Sequence, residues 1–434
     1  VVDYLEVTAP VASYTVIRML LAFAALHDWE LEQMDVDTAF LNSDLDVPIY
    51  CIPPPFLRAP PNMFILLKAA LYGLKQGSRC FNILLHKFLV NTCGFTQSKN
   101  DPCLYMLRKP QRTVLIAIFV DDVVIAAPDK LSVKWIKDKF CSRFSMSDQG
   151  PLKWILGMHV ARNRESRTLS LDQSRYITDF LKKYGMDACN PVLSPSDVKV
   201  TLTKPDSPLT PEDEAQVSRH PFKFSSCIGS TLYAALSSRF DVCYPVNVAA
   251  RHTAWPGPSH FTAVKRVLRY LKGTHTYSVL YGSSPLNDHK VQPTLFAYSD
   301  SDWAACKDTR SSTSCHMVYF CGGPIQAVTR RLKCIALSST DAEYYALSDT
   351  ARELSHIRRM ASDIIGSPLP GPTPIFVDNQ AAINIATSET CSRRSKHIEI
   401  RFHHVREMIK KRVVKPYKID TKYNMADIGT KSLP

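Results

Sequence analysis

Two adjacent aspartates separate two short apolar segments of the chain. Residues 115–120 and 123–127 are rich in β-branched and other apolar side chains, and only Asp121 and Asp122 lie between them. This spacing predicts a β-hairpin with two carboxylates at its tip. Carboxylates beside apolar strands are costly to desolvate, so they either face water in an exposed turn or are neutralised by a cation. The pair alone is compatible with an Asp-rich turn and with a divalent-metal site.

A third aspartate upstream favours the metal site. Asp35 ends a stretch of alternating polarity, and Phe40 follows five residues later. Three carboxylates that converge on two metal ions suit in-line phosphoryl transfer, because one ion activates the attacking hydroxyl and the other neutralises the leaving diphosphate. The sequence therefore predicts that Asp35, Asp121 and Asp122 lie together.

The composition indicates a folded, multidomain chain with a polyanionic partner. With 434 residues, 45% of them hydrophobic and 21% charged, the chain is too long for one small domain and too apolar for a disordered protein or a coiled coil. Its net charge of +13 favours a nucleic-acid partner. Thirteen cysteines without a CxxC or CxxH pair indicate reduced thiols in an intracellular protein. No apolar stretch reaches the roughly 18 residues of a membrane span.

Prolines and a basic helix organise the middle of the chain. Six prolines between residues 191 and 221 indicate a linker, and we expect boundaries near residues 195 and 290. After Ser259, apolar residues recur at helical spacing from Phe261 to Leu271, and Gly273 ends the pattern. The other faces of this predicted helix carry the cations Lys265, Arg266, Arg269 and Lys272. They suit either a solvated surface or contact with phosphates.

Five motifs in series resemble the reverse transcriptase of copia-type (Pseudoviridae) retrotransposons. In chain order they are QMDV through LN at 33–42, ALYGLKQ at 70–76, FVDD at 119–122, the FSM, GPL and LGM segments within 144–158, and RYLKGT at 269–274. The similarity extends over nearly the whole chain. It implies that Asp35, Asp121 and Asp122 hold two Mg²⁺ ions, with Mn²⁺ as an alternative.

The resemblance also implies residues that contact nucleotide, primer and template. Phe40 matches the aromatic steric gate that favours deoxynucleotides, although a Phe in the hydrophobic core is the alternative interpretation. Gln76 is expected along the nascent pair and template, and Leu156 and Gly157 in the turn that holds the primer end. The cations Lys265, Arg266 and Arg269 are expected to contact the primer–template.

A second acidic set in the last third resembles the ribonuclease H domain of the same elements. Its motifs are YSDSDW at 298–303, SSTDAEY at 338–344, VDN at 377–379 and AD at 426–427. They imply a second two-metal site, for hydrolysis of RNA, held by Asp300, Glu343, Asp378 and Asp427. Ser338 and Asp341 predict a helix start with Glu343 in its first turn, where Glu343 would also stabilise the helix dipole. Asp302 and Asp341 are interpreted as neighbours that cap or support the site.

A histidine and arginine cluster lies near the end of the chain. Its histidines are His397, His403 and His404. Adjacent histidines lie on different faces of a helix, so joint zinc ligation is disfavoured, and a basic helix facing nucleic acid or a solvated surface is the better interpretation.

The resemblance implies an α+β and α/β multidomain fold. Its parts are a reverse transcriptase palm with partial fingers in 1–195, a thumb or helical connection in 196–290, and a ribonuclease H-like domain of mixed sheet and helices in 291–434. Relatives carry, before the equivalent of residues 2–4, a basic strand that grips the triphosphate, and we expect polymerase activity to depend on it.

The expected function is RNA-directed DNA synthesis with ribonuclease H activity. Its partners would be an RNA template, a DNA primer, an RNA–DNA hybrid and dNTPs, without a membrane, in a cytoplasmic virus-like particle or the nucleus. Two alternatives remain: a chain in which only the ribonuclease H is active, and a domesticated remnant that binds nucleic acid without chemistry. The sequence predicts no oligomeric state.

Overall fold

The computed structural model describes residues 8–204, 209–282, 294–388 and 399–432, with side chains from residue 403 in the last range. The predicted His397 lies outside these ranges. The chain forms two compact units, a first unit of Val1–Leu152 and a second unit of Lys153–Pro434. The three-part division at residues 195 and 290 stays a prediction. In the described ranges, no helix is both long and apolar enough to cross a membrane, and the cysteines there are free thiols.

A six-stranded antiparallel sheet forms the centre of the first unit. The strands of this unit are β1 (Glu30–Val36), β2 (Tyr50–Cys51), β3 (Ile65–Leu66), β4 (Thr96–Gln97), β5 (Leu104–Lys109), β6 (Arg112–Phe119), β7 (Asp122–Ala127) and β8 (Met146–Pro151). Its helices are α1 (Tyr14–Leu26), α2 (Gly77–Lys87) and α3 (Lys130–Cys141). The sheet order is β4-β5-β6-β7-β1-β8, and β2 pairs with β3 separately.

Alternation along the strands decides which side chains of this sheet face its main core. Met34 and Val36 of β1 and Val123 and Ile125 of β7 join apolar side chains of α2 and α3 in one cluster. Because successive side chains of a strand point to opposite faces, the aspartate between Met34 and Val36 points away from this core. The opposite face packs against α1, whose residues 15–26 are buried.

The predicted hairpin is present as β6 and β7. Phe119 pairs directly with Asp122, so the turn consists of Val120 and Asp121, and Asp122 is the first residue of β7. The sequence suggested that both aspartates lie at the tip of the hairpin. In the structure only Asp121 lies in the turn. Val120 has φ +60°, a left-handed conformation that disfavours β-branched residues.

The second unit begins with a four-stranded sheet and a group of helices. The strands are β9 (Trp154–Ile155), β10 (Met158–Asn163), β11 (Thr168–Asp172) and β12 (Ser278–Tyr281), in the order β12-β11-β10-β9. The helices are α4 (Ser174–Lys183), α5 (Pro211–Ser218), α6 (Phe224–Ser237), α7 (Cys243–Ala250) and α8 (Pro258–Gly273).

Helix α8 is the predicted basic amphipathic helix. Its apolar stripe from Phe261 to Leu271 is buried, as the spacing indicated. The helix begins at Pro258, one residue before Ser259, with Gly257 as its N-cap, and the Gly257 N–H donates to His260 Nδ1 at 2.9 Å. A buried histidine in the first turn of the helix thus satisfies a backbone N–H at the amino end.

A five-stranded mixed sheet completes the second unit. Its strands are β13 (Leu295–Ser301), β14 (Thr313–Phe320), β15 (Gly323–Arg331), β16 (Thr373–Val377) and β17 (Val414–Lys418), with helices α9 (Ser339–Ile365), α10 (Gln380–Thr387) and α11 (Glu399–Lys410). The order is β15-β14-β13-β16-β17. β13 pairs antiparallel with β14 and parallel with β16. The expected α+β architecture with a mixed sheet is confirmed.

Candidate active sites

The first predicted carboxylate set lies at one end of the sheet of the first unit. Asp35 of β1 and Asp122 of β7 are directly opposed in the antiparallel register, and such pairs hold their Cβ atoms about 4.5–5.5 Å apart. The carbonyl of Asp121 accepts a hydrogen bond from the Val36 N–H at 3.2 Å, which ties the turn to β1. The three aspartates predicted from the sequence are therefore neighbours.

Burial and mutual repulsion act on two of these aspartates. Burial raises the pKa of Asp35, and the charges of Asp121 and Asp122 raise it further. Burial also raises the pKa of Asp122, against a hydrogen bond that Gln33 Nε2 donates to its Oδ1 at 2.8 Å. A bound cation would relieve both effects, so these residues fit a divalent ion.

The second carboxylate set is more tightly gathered. Ser299 of β13 pairs in parallel with Val377 of β16, so Asp300 and Asp378, one residue further on, lie side by side at the same sheet edge. Glu343 reaches them from α9, and one oxygen from each of the three carboxylates lies within 4.8 Å of the others. Among the described residues, no other group of three or more histidine, cysteine or acidic side chains meets so closely.

Helix α9 positions Glu343 much as the sequence predicted. Ser338 caps the helix, and its Oγ accepts the Asp341 N–H at 3.1 Å. Because α9 begins at Ser339, Glu343 is its fifth residue and lies in the second turn, not the first. Its Oε1 accepts the Ser301 N–H at 3.1 Å, which joins the helix to the end of β13.

The electrostatics of this second set fit a metal ion. Asp300 and Glu343 are only 3% and 6% exposed. Burial, followed by the charges of neighbouring carboxylates, raises the pKa values of both. Glu343 Oε2 has no hydrogen-bond partner among the described residues. Buried carboxylates without enough donors are normally neutralised by a proton or by a cation.

The fourth predicted ligand, Asp427, has a cation from its own chain as its partner. It belongs to a short 3₁₀ segment, Met425–Gly429, and its Oδ2 lies 2.7 Å from Lys431 Nζ. The next residue after this segment, Thr430, donates its hydroxyl to Asp300 Oδ2. The carboxyl-terminal segment thus supplies one acid and two supporting side chains. Asp302 supports the adjoining loop instead, and its Oδ1 accepts the Thr313 N–H at 2.9 Å.

The predicted nucleotide and template residues of the first unit are partly buried. Phe40 lies in a 3₁₀ turn, packs against the main core, and has Tyr72 at a ring-centroid distance of 4.5 Å. Its half-buried ring is compatible with both interpretations given above. Gln76 precedes α2 and is only 3% exposed, which leaves little of its side chain for a template. Its role in template contact stays a prediction.

The predicted primer and phosphate residues belong to the second unit. Leu156 and Gly157, both at positive φ, form the turn between β9 and β10, and Tyr233 of α6 donates to the Leu156 carbonyl at 2.5 Å. Two of the α8 cations hold the preceding chain segment: Arg266 Nε donates to the Ser194 carbonyl at 3.2 Å, and Arg269 Nε to that of Asn190 at 2.7 Å. No ion pair to Lys265 is found in the described part of the chain.

Sequence reasoning missed the side chains that support the acids. Gln33 lies two residues before Asp35 on the same strand, so alternation places both side chains on one face of the sheet. This spacing could have indicated that Gln33 lies beside the acids. Asp37 accepts hydrogen bonds from Ser145 and Ser147 at 2.7 and 2.8 Å, and these bonds lower its pKa. For Ser145 and Ser147, which meet Asp37 through a distant strand pairing, the sequence contained no such signal.

Fold and sites together define a class: an α+β protein with two separate carboxylate sets, each suited to divalent ions. The family of reverse transcriptases (RNA-dependent DNA polymerases) matches residues 1–198. The Pol polyprotein from transposon TNT 1-94 of Nicotiana tabacum is 34% identical over 100% of this chain and 32% of its own length. That from transposon RE2 of Arabidopsis thaliana is 31% identical over 99% of this chain and 28% of its own length.

These matches confirm the resemblance to the Pol proteins of copia-type retrotransposons that the motifs indicated. The chain spans about a third of the length of these two relatives. Among solved structures, a foamy viral protease–reverse transcriptase in complex with an RNA/DNA hybrid is 10% identical over 98% of this chain and 47% of its own, with a TM-score of 0.48. A ribonuclease H1 isolated from compost is 12% identical over 32% of this chain and 94% of its own, with a TM-score of 0.26.

Proposed function

We propose that the chain carries an RNA-directed DNA polymerase and a ribonuclease H, each with its own metal-dependent site. The observation that carries the proposal is the pair of carboxylate sets, which lie in different sheets and follow the motif order of the family. The substrates would be a primer on an RNA template with dNTPs for the first site, and the RNA strand of an RNA–DNA hybrid for the second.

In the polymerase, Asp35, Asp121 and Asp122 would hold two Mg²⁺ or Mn²⁺ ions. These ions, when bound, supply an activated attacking hydroxyl and neutralise the charge of the leaving diphosphate. The protein's own contribution is to fix the acids before substrate arrives: the cross-strand register sets the separation of Asp35 and Asp122, and the Gln33 amide orients one oxygen of Asp122. Phe40 would lie beneath the incoming sugar.

In the ribonuclease H, Asp300, Glu343, Asp378 and Asp427 would hold the ions that activate water. The parallel strands β13 and β16 fix Asp300 and Asp378, and the Thr430 hydroxyl orients Asp300. Burial of Asp300 and Glu343 excludes bulk water from the side of the site that faces the sheet, which strengthens electrostatic interactions there.

Single carboxylate substitutions test the two assignments separately. Asp122→Asn is expected to abolish primer extension and to leave hybrid cleavage intact, and Asp378→Asn is expected to do the reverse. Loss of a metal ligand should cost more than the about 10–100-fold that loss of an outer-sphere partner costs. The assays are extension of a labelled primer on RNA with dNTPs and Mg²⁺, and cleavage of a labelled RNA–DNA hybrid with Mg²⁺.

Two exposed aspartates provide matched controls. Asp138→Asn on α3 and Asp420→Asn near the carboxyl end each remove a carboxylate from a surface ion pair, and both variants should keep both activities. Retained primer extension in Asp122→Asn would refute the polymerase site, and retained hybrid cleavage in Asp378→Asn would refute the ribonuclease site.

A chain with ribonuclease H activity alone is the second candidate. The tighter gathering of Asp300, Glu343 and Asp378, compared with the more open first set, favours it. It predicts hybrid cleavage in the native chain without any primer extension, under conditions in which a standard reverse transcriptase extends the same primer.

A further inference from the structure

Lys431 lies against the second carboxylate set. Its Nζ is 2.7 Å from Asp427 Oδ2. Because the lysine is ion-paired with this acid, it brings a cation of the chain itself to the carboxylates assigned to the site.

The environment of Asp427 differs from that of the other three acids. The oxygens that meet within 4.8 Å come from Asp300, Glu343 and Asp378. One oxygen of Asp427 is taken by Lys431, and the other, Oδ1, is buried with no hydrogen-bond partner in the described ranges. The acid that would complete a second cation position is thus already neutralised by a cation from the same chain.

Charge balance shows what this arrangement does to metal binding. Metal binding requires ionised ligands, and four ionised carboxylates carry four negative charges, so one divalent ion together with the Lys431 ammonium leaves a single charge uncompensated. A second divalent ion beside the ammonium would make the site net positive, and like charges at contact distances repel strongly in a partly buried environment. Without the ammonium, two divalent ions would balance the four acids.

We propose that the Lys431 ammonium occupies the second cation position at Asp427 in the absence of nucleic acid. The protein then binds one divalent ion tightly at this site and a second one only weakly. The negative phosphate of a bound RNA strand restores the balance and favours the second ion, so the complete two-ion site forms with substrate. The inference rests on the proposed ribonuclease H function.

The test counts bound Mn²⁺ on the full chain without nucleic acid, by electron paramagnetic resonance of free Mn²⁺ during titration. Lys431→Met is expected to bind one more Mn²⁺ than the native chain, with second-ion affinity at least about tenfold higher. Lys431→Arg keeps the charge and should bind as the native chain does. Lys422→Met removes a lysine from an exposed pair with Asp420 and serves as the matched control. Ions held by the first unit are common to all variants and cancel.

Three results would overturn the inference. One is an unchanged Mn²⁺ count and affinity in Lys431→Met. Another is weaker Mn²⁺ binding in that variant, since Lys431 would then only position Asp427. The third is an extra ion in Lys431→Arg, since charge would then not be the cause. If Lys431→Met does not fold by circular dichroism, Lys431→Gln gives the same comparison with a polar side chain.

A separate variant distinguishes failure of this inference from failure of the proposed function. Asp378→Asn should lower the native Mn²⁺ count by removing a ligand of the tightly bound ion. If Asp378→Asn binds as much Mn²⁺ as the native chain, the metal site itself is refuted. If it binds less while Lys431→Met binds as the native chain does, only the role of Lys431 is refuted.

Discussion

Burial keeps one histidine of the second unit neutral. His316 on β14 is 5% exposed, and burial lowers its pKa from 6.5 to about 4, although Glu353 and Asp349 favour its charged form and Arg330 opposes it. The unfolded chain binds a proton near pH 6.5, whereas the folded chain does not. Stability is therefore lost as the pH falls from about 6.5 towards about 4.

Replacing His316 should remove this acid sensitivity. In His316→Gln, the loss of unfolding free energy between pH 7 and pH 5 is expected to be smaller than in the native chain by about 2 kcal/mol. The measurement is urea unfolding at each pH, followed by circular dichroism. His403→Gln, at an exposed position of α11, should behave as the native chain. An equal loss in His316→Gln and in the native chain would contradict the prediction.

The acids could be predicted from the sequence because each is part of a short motif. Asp35, Asp121, Asp122 and the second set stand at strand ends or helix starts, where local patterns are informative. Their supporting side chains could be predicted less well. Thr430 reaches Asp300 across 130 residues of sequence separation, and only the folded carboxyl-terminal segment brings these two side chains into contact.

The 3₁₀ segment that carries Asp427 depends on a close approach between backbone and sheet. At Gly429 an added Cβ would overlap Cys315 Sγ and lie 2.8 Å from Cys315 Cβ. Thr329 Oγ1 donates to the Gly429 carbonyl at 2.8 Å, so the segment cannot move away without losing a buried hydrogen bond. Glycine is required here for space, not for backbone conformation.

Gly429→Ala is accordingly expected to destabilise the chain by about 1–3 kcal/mol and, by displacing Asp427, to weaken binding of the second Mn²⁺ ion. Thermal unfolding and the Mn²⁺ titration measure the two effects. Gly229→Ala on α6 is the matched control, because nothing lies within 4 Å of its added Cβ, and it should stabilise the helix by up to about 1 kcal/mol. Equal stabilities of the two variants would contradict this account.

Strands and helices with strong periodicity were predictable, and their ends were less so. The hairpin of β6 and β7 and the apolar stripe of α8 agree with the sequence pattern. The exact turn residues, Val120 and Asp121, depend on register, which the core side chains of the neighbouring strands determine. The cap of α8 depends on His260, a residue type that no capping rule favours at that position.

The two units of the chain should respond differently to divalent ions. Three carboxylates, two of them buried, have oxygens within 4.8 Å of one another in the second unit, whereas the acids of the first set do not converge within that distance. Adding Mg²⁺ to the metal-free chain is expected to slow amide hydrogen exchange more in 295–301, 339–345 and 373–379 than in 30–36 and 119–124. At 100 times its dissociation constant, a ligand stabilises its site by about 2.7 kcal/mol.

Hydrogen exchange with mass spectrometry measures this difference, at constant ionic strength set with Na⁺. Asp378→Asn should abolish the Mg²⁺ effect in the second unit and leave the smaller effect in the first. Stronger Mg²⁺ protection in 30–36 than in 339–345 would show that convergence of carboxylates does not determine affinity in this chain.

The left-handed backbone of the turn at Val120 has a conformational cost. A left-handed backbone disfavours a β-branched residue by roughly 1–2 kcal/mol, and glycine would remove that penalty while letting the loop sample further conformations. The chain therefore keeps a hairpin that is less stable and stiffer than a glycine counterpart. A backbone that is less stable but more rigid is typical of positions where functional groups are held in place before a substrate binds.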